Sequence, residues 1–189
     1  KMNGLKNINL IDLKFSKKKN NNILGIKVVC GFNNIVKSDL SKSKNFYLAI
    51  GNNILRKKYF NYLRKLVRTP NLISKNSFLS SYADIGEGNF LNHFSFIGQN
   101  TLIGNNNIFN TRSLIEHDVV IGDHCHICPG VKIAGNVKIG SNVFLGLGTV
   151  VIDNVNICSN VKIGAGSIIY KDILKPGTYI DKRTTKFKK

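Results

Sequence analysis

Residues 121–146 read "IGDHCHICPGVKIAGNVKIGSNVFLG" and carry an apolar residue at every sixth position. The same register continues in both directions through fifteen apolar residues without a gap. These residues are Ile85, Leu91, Ile97, Ile103, Phe109, Ile115, Ile121, Ile127, Ile133, Ile139, Leu145, Val151, Ile157, Ile163 and Ile169. Glycine directly follows seven of them, and a small or β-branched residue usually stands four positions further on. The pattern fits neither the 3.6-residue period of a helix nor the alternation of a strand.

A six-residue apolar period predicts a parallel β-helix. Three hexads form one triangular coil of about 18 residues, with the apolar residues inside the prism, and coils stack at the strand spacing of about 4.8 Å. Residues 85–173 therefore predict a solenoid of about five coils, whose ends must be covered by the flanking segments. The period alone does not fix the hand of the helix.

The region before the solenoid is less regular. The stretches "NLIDLKF" (9–15) and "FYLAIG" (46–51) have the composition of strands. Residues 52–66 predict a helix that begins at Asn52 or Asn53, with Leu55, Tyr59, Leu63 and Leu66 forming one apolar stripe and the basic face in solvent. We expect four regions: a small α/β domain over 1–70, a connector over 71–84, the β-helix over 85–173 and a basic tail over 174–189.

The formal net charge of +18 lies outside the expected solenoid. Residues 1–80 hold 17 basic and 2 acidic residues, and residues 174–189 hold 6 basic and 1 acidic, whereas residues 85–173 hold 5 basic and 6 acidic. A nucleic-acid binder usually concentrates charge along one contiguous face. The observed distribution fits small polyphosphate ligands or acidic partners equally well, and we expect no nucleic-acid partner.

Nothing in the sequence predicts secretion or a membrane span. No window reaches about 18 uninterrupted apolar residues, and the first residues lack the pattern of a signal peptide. Four cysteines are too few for a disulfide scaffold, which favours a reducing cytoplasm.

The 18-residue coil separates the histidines of the central stretch. His117 and His126 are nine positions apart, half a turn, so within one chain they lie on opposite sides of the prism. His117 and Gly135 are 18 apart, so they stack in adjacent coils. His126 meets His117 only across a boundary between two subunits, which a trimer packed about the prism axis provides. We therefore predict a homotrimer with a composite site.

His117 is the strongest candidate for a catalytic group. It lies off the inward register, and acids flank it in "EHD". A neighbouring carboxylate, here Asp118, orients an imidazole and supports its charged form, as a general base requires. The alternative is a solvated surface histidine beside two acids.

A metal site is the weaker interpretation. The sequence "CHIC" is a single CxxC without a second pair. Cys125 falls on a small inward position and Cys128 on a turn position, while His93 and His124 are expected at the surface or in turns. We predict no metal ion.

Residues 114–151, "LIEHDVVIGDHCHICPGVKIAGNVKIGSNVFLGLGTVV", resemble the left-handed β-helix sugar acetyltransferases related to the sialic-acid O-acetyltransferase and the bacillosamine-pathway amino-sugar N-acetyltransferase. "FYLAIGNNILRKKYFNYL" (46–63) resembles the small Rossmann-like α/β domain of that family. The resemblance implies a left-handed parallel β-helix preceded by a truncated α/β domain. It also implies transfer of acetyl from acetyl-CoA to an amino or hydroxyl group of a sugar or nucleotide-sugar.

The resemblance also implies roles at the reacting centre. His117 is the general base, Asp118 raises its basicity, and Asn110 lines the site. The backbone N–H of Gly135 is positioned for the developing oxyanion, and no nucleophilic cysteine or serine is needed.

Substrate contacts follow from the same resemblance. His126 contacts the thioester end of acetyl-CoA, and Leu147 and Ala165 line the CoA channel. Asp12 and Gly51 match acceptor-binding positions. The acceptor sugar, and the choice between N- and O-acetylation, stay open.

Two departures from the family pattern stand at the ends. The chain begins at Lys1, after the point where a strand, a Gly-rich turn and part of a helix are expected, so upstream residues or half of the acceptor site are expected to be missing. "GTYIDKRTTKFKK" (177–189) replaces the usual "GxPA" loop over CoA, and Lys182, Arg183 and Lys186 are expected near its phosphates. A non-catalytic scaffold and, less favoured by the histidine spacing, a zinc β-helix hydratase remain alternatives.

Overall fold

The structure is a computed structural model that describes residues 10–12, 22–23, 26–31 and 45–180. It is mainly β, with a parallel β-solenoid of about six coils and one short helix within the described residues. No helix in these residues has both the length and the apolar character needed to cross a membrane.

The solenoid has three faces, each a parallel sheet. The first face contains β4 (Leu72–Ile73), β7 (Phe90–Leu91), β10 (Ile108–Phe109), β13 (His126–Ile127), β16 (Phe144–Leu145), β19 (Val161–Ile163) and β21 (Gly177–Tyr179). The second face contains β5 (Phe78–Leu79), β8 (Phe96–Ile97), β11 (Leu114–Ile115), β14 (Lys132–Ile133), β17 (Val150–Val151) and β20 (Ile168–Ile169). The third face contains β6 (Asp84–Ile85), β9 (Leu102–Ile103), β12 (Val120–Ile121), β15 (Lys138–Ile139) and β18 (Asn156–Ile157).

Turns join the faces at three corners. The first corner leads from the first face to the second, as at residues 110–113. The second corner leads from the second face to the third, as at residues 116–119. The third corner leads from the third face back to the first, as at residues 122–125. Many turn residues have positive φ, and most of the non-glycine ones are asparagine, which tolerates that conformation better than most side chains.

The strand register confirms the 18-residue coil. Ile108 pairs with His126, and Ile115 pairs with Ile133 one coil further along. From Leu91 to Ile163 every residue of the six-residue register is at most 5% exposed. Burial of each such aliphatic side chain contributes about 1.5–3 kcal/mol, so this inward row is the main source of stability.

Strand pairing begins earlier than the sequence predicts. The expected connector over 71–84 contains β4 and β5, which pair with β7 and β8 of the next coil. Ile73 and Leu79 continue the same six-residue step, so the signal was present upstream of Ile85. Their lower burial at the end of the stack weakens the apolar pattern there.

The helix α1 (Asn53–Leu63) begins where the sequence predicts. The side chain of Asn52 accepts a hydrogen bond from Leu55 N at 2.9 Å and caps the first turn. The buried face is different from the predicted stripe of Leu55, Tyr59, Leu63 and Leu66. It consists of Arg56, Phe60 and Leu63, and Leu66 is 56% exposed because the helix ends before it.

The expected strand at residues 46–51 is wrong. The segment has no strand structure, and the isolated bridge between Asn45 and Arg68 lies just before it. The carbonyls of Ile50 and Gly51 bind the side chain of Arg56 and are therefore not available to a neighbouring strand.

The expected α/β domain is only partly described. β1 (Leu10–Asp12) pairs with β3 (Ile26–Gly31) in parallel, and β2 (Asn22–Ile23) pairs with β3 in antiparallel fashion. Most of residues 1–44 lie outside the described residues, so a Rossmann-like domain there stays a prediction.

Candidate functional site

His117 lies at the second corner, directly after the strand β11 and Glu116. Its side chain is 50% exposed, and its Nδ1 lies 2.7 Å from Oδ2 of Asp118. A carboxylate only accepts hydrogen bonds, so Nδ1 carries the proton. Nε2, the other ring nitrogen, has no hydrogen-bond partner among the described residues.

Asp118 is held in the geometry that this contact needs. Its backbone has φ 57°, and its N–H donates to Gln99 O at 3.0 Å. Hydrogen bonds from His117 and, second, from Asn100 hold the pKa of the Asp118 carboxyl below its ordinary value. The carboxylate therefore stays ionised and fixes the ring through Nδ1.

Gly135 stacks against His117 one coil further along, as the spacing predicts. A Cβ at this position would stand 2.7 Å from Cε1 of His117 and 2.9 Å from its Nε2. The imidazole thus occupies the space that any larger residue at 135 would need.

The backbone N–H of Gly135 has no acceptor among the described residues. The corresponding N–H groups at the third corner are bound by side chains one coil away: Asn105 N binds Asp123 Oδ1, and Asp123 N binds Ser141 Oγ. The second corner lacks such a ladder at Gly135, so a backbone donor without an acceptor among the described residues lies beside the His117 ring.

The first corner carries an open groove of about 430 Å³. Phe94, Thr111, Pro129 and Leu147 contribute to its walls, and the Leu147 side chain is 58% exposed. Ala165 is exposed at the same corner, one coil beyond Leu147. The two residues predicted to line the CoA channel are therefore neighbours.

Asn110 also lies at the first corner. Its Oδ1 accepts hydrogen bonds from Asn92 Nδ2 at 2.9 Å and from Thr111 N at 2.8 Å. These contacts build the turn, and the role of Asn110 in lining a catalytic site stays a prediction.

His126 lies on the first face, in β13, half a turn from His117. Its Nδ1 is 3.2 Å from the carbonyl oxygen of Gly51, and its ring packs edge-on against Phe144 at 5.3 Å. Burial lowers the pKa of His126, the Gly51 carbonyl opposes this, and the Arg56 charge lowers it further. The ring is therefore neutral near pH 7.

The remaining predicted contacts fall partly outside the described residues. The backbone of Asp12 pairs with Gly31 in the small sheet, and nothing is described of its side chain. Lys182, Arg183 and Lys186 also lie outside the described residues.

Within one chain, these predicted site residues therefore form three separate clusters. His117, Asp118 and Gly135 meet at the second corner. His126 and Gly51 meet on the first face, and Leu147 and Ala165 flank the first corner. This separation follows from the half-turn between His117 and His126.

The sequence does not reveal two buried polar residues. Arg56 was expected on a solvated face but is 1% exposed. His124 was expected at the surface or in a turn; it is in a turn, with φ 62°, but is 6% exposed. Its Nδ1 lies 2.8 Å from Asn106 Nδ2, and burial lowers its pKa. His93 is exposed in a turn, as expected.

The buried cysteines are poor nucleophiles. Burial raises the pKa of Cys125 to about 12 and that of Cys128 to about 11, so both are thiols near neutral pH. Within the described part of the chain, no three His, Cys, Asp or Glu residues are grouped so that they could hold a metal ion.

Two family models match the solenoid. The model described as bacterial transferase hexapeptide (six repeats) matches residues 100–135 and 118–153, and the hexapeptide repeat of succinyl-transferase matches residues 136–171. No curated protein gives a significant match.

Solved structures match most of the chain. A histidine-to-alanine variant of GDP-perosamine N-acetyl transferase from Caulobacter crescentus, in complex with CoA and GDP-perosamine, is 29% identical, with a TM-score of 0.81 over 84% of this chain and 76% of that chain. The acetyltransferase domain of PglB from Neisseria gonorrhoeae is 24% identical, with a TM-score of 0.83 over 91% of this chain and 84% of that chain. WeeI from Acinetobacter baumannii is 24% identical, with a TM-score of 0.74 over 92% and 82%. The last two establish the fold alone. The family models and the first of these structures confirm the resemblance to hexapeptide-repeat sugar acetyltransferases.

Proposed function

We propose that this hexapeptide-repeat protein transfers an acetyl group from acetyl-CoA to an amino or hydroxyl group of a nucleotide-activated sugar. One observation carries the proposal: the ring of His117, fixed by Asp118, lies directly over Gly135, whose N–H has no acceptor among the described residues. The likeness to an enzyme solved with CoA and GDP-perosamine supports the choice of substrates.

The geometry supports direct attack without a covalent enzyme intermediate. The acceptor nitrogen or oxygen attacks the thioester carbonyl carbon while Nε2 of His117 removes its proton. The tetrahedral oxyanion receives a hydrogen bond from Gly135 N–H. Its collapse breaks the C–S bond, and the departing CoA thiolate takes the proton from the His117 imidazolium. The acetylated acceptor and free CoA are the products.

The first-corner groove is the proposed place for the pantetheine arm of acetyl-CoA. Its walls at Pro129 and Leu147 are apolar, as the methylene-rich arm requires, and Ala165 extends the groove. Asn110 and His126 are proposed at the thioester end. Lys182, Arg183 and Lys186 are proposed to bind the CoA phosphates.

The acceptor is proposed to approach from the side of Gly51 and Asp12. Gly51 is exposed and lies against His126, close to the proposed thioester end. One base and one oxyanion donor serve an amine and a hydroxyl equally well, so N- and O-acetylation share this mechanism.

A homotrimer is proposed to join the separated groups into one site. The second face carries the outward residues Phe78, Phe96, Leu114, Lys132, Val150 and Ile168, of which only Lys132 is charged. The groove borders this face at the first corner, and His117 borders it at the second. If three second faces meet about a common axis, the His117 corner of one subunit adjoins the groove corner of the next.

Phe96→Glu is expected to dissociate the trimer and abolish most activity. Phe96 is the second residue of this mostly apolar row and stacks on Phe78, with ring centroids 4.8 Å apart. An unpaired buried carboxylate costs several kcal/mol, and three of them are expected to weaken assembly by at least about 10³-fold. Sedimentation equilibrium measures the change.

Leu102→Glu is the matched control, because Leu102 is an equally outward apolar residue, 51% exposed, on the third face. It is expected to leave the trimer intact. A stable Phe96→Glu trimer, or a fully active native monomer, contradicts the proposed interface.

The reaction itself is tested by incubating the protein with acetyl-CoA and nucleotide-activated amino-sugars. Free CoA thiol is expected to appear only when both substrates are present, in equal amount to acetylated sugar measured by mass spectrometry. Binding of acetyl-CoA without turnover on any acceptor in such a panel favours a non-catalytic scaffold.

A further inference from the structure

Arg56 is a buried cation without a carboxylate partner among the described residues. The residue is 1% exposed, and burial lowers the pKa of its guanidinium to about 10. All of its acceptors among the described residues are neutral: five backbone carbonyls and one side-chain amide. They are Asn106 O (3.2 Å), Ile50 O (3.1 Å), Gly51 O (3.3 Å), Asn53 Oδ1 (3.0 Å), His124 O (3.0 Å) and Cys125 O (3.0 Å).

These acceptors belong to four segments, one of which is Asn106, one coil before His124. The Ile50–Gly51 segment precedes α1, Asn53 opens the helix, and His124 and Cys125 immediately precede His126 in the chain. A buried charge is costly unless its hydrogen bonds are satisfied, so the six contacts fix the relative positions of these segments.

The Gly51 carbonyl is shared between Arg56 and His126. It lies 3.3 Å from Arg56 Nη1 and 3.2 Å from His126 Nδ1. A carbonyl oxygen only accepts, so Nδ1 of His126 carries the proton and Nε2 carries a lone pair. That Nε2 is buried and has no hydrogen-bond partner in the described structure.

We propose that Arg56 is a positioning residue that, through the Gly51 carbonyl, holds His126 as the Nδ1–H tautomer and keeps its Nε2 as a hydrogen-bond acceptor. His126 then cannot donate to the thioester oxyanion, and that task falls to Gly135. An unpaired buried acceptor is unfavourable, and a ligand donor at this point removes that cost.

The chemistry of acetyl-CoA indicates which ligand group donates a hydrogen bond to His126 Nε2. This step rests on the proposed function. The nearest N–H to the thioester is the amide of the mercaptoethylamine arm. His126 Nε2 is therefore proposed to accept from that amide. Arginine is required at position 56 because a lysine ammonium has three donors and cannot span six acceptors in a fixed fork.

The first test needs no substrate, so its result is independent of the proposed function. Heteronuclear nitrogen NMR of the native protein with labelled histidine, with the signals assigned by comparison with His126→Asn, reports which ring nitrogen is protonated. We expect a protonated Nδ1 and a bare Nε2 near pH 7. A proton on Nε2, or a doubly protonated ring, overturns the proposal.

The second test compares Arg56→Lys with Lys58→Gln, which removes a charge from an exposed position on the same helix. Arg56→Lys is expected to mix the two His126 tautomers and to raise KM for acetyl-CoA by about 5- to 30-fold, the worth of 1–2 kcal/mol of hydrogen bonding, with a smaller change in kcat. Lys58→Gln is expected to change neither.

A double mutant separates positioning from general destabilisation. Asparagine at 126 keeps a donor for Gly51 but lacks the Nε2 group, so Arg56→Lys is expected to add little to the KM of His126→Asn. If the effects of the two substitutions on KM are fully additive, the link through His126 is overturned.

Should Arg56→Lys not fold, Asn53→Ala removes one contact of the guanidinium and is expected to shift the His126 tautomers in the same direction. If Arg56→Lys or Asn53→Ala folds and the tautomer of His126 is unchanged in it, the proposal is contradicted.

Discussion

His117→Ala is expected to lower kcat by about 10²–10⁴-fold, the usual worth of a general base. Nε2 of His117 has no hydrogen-bond partner among the described residues while Asp118 holds Nδ1 at 2.7 Å, so the substitution removes the group proposed to take the acceptor proton. KM for acetyl-CoA is expected to change little, because the substitution leaves Pro129 and Leu147, the proposed walls for the pantetheine arm, unchanged. Steady-state kinetics with both substrates measures the two constants.

The loss is expected without loss of folding. The His117 side chain is 50% exposed and lies outside the inward row, so thermal unfolding of the variant should resemble that of the native protein. Asp118→Asn is expected to lose less, since this change leaves the base and disturbs only its orientation. Asp153→Asn, an exposed acid at the same corner, is the matched control and is expected to be neutral. Near-native turnover of His117→Ala removes His117 from the mechanism.

The sequence predicts the solenoid because one geometric constraint repeats in every coil. Each inward position must be apolar, and the turn between positions favours glycine or asparagine, so the period is visible without any knowledge of contacts. The same arithmetic places Gly135 under His117 and separates His126 from both. These relations depend only on counting residues along a regular path.

The docking of α1 could not be predicted in the same way. Whether a helical arginine faces solvent or carbonyl groups depends on which surface the helix meets, and Arg56 meets the third corner through Asn106 and His124. The same contacts withdraw Ile50 and Gly51 from strand pairing, although "FYLAIG" has the composition of a strand. Tertiary hydrogen bonds here override local propensity.

Gly135→Ala is expected to lower kcat by about 10²-fold with nearly native stability. Gly135 has an ordinary φ, so the backbone accepts alanine, but the new Cβ would stand 2.7 Å from His117 Cε1. Ordinary carbon contacts lie at about 3.5–4.0 Å, so the imidazole must move by about 1 Å. A displacement of that size at a catalytic group costs about 10²-fold in rate.

A double mutant distinguishes displacement of the base from damage to the oxyanion donor. In the His117→Ala background the space over Gly135 is empty, so Gly135→Ala has no ring to displace. If alanine acts through His117, the double mutant has the residual rate of His117→Ala alone; if it disturbs the Gly135 N–H, the rate falls further. A native kcat in the Gly135→Ala single mutant shows that the His117 ring can move from this position without loss of activity. In that case, the contact between His117 and Gly135 does not determine the position of the proposed base.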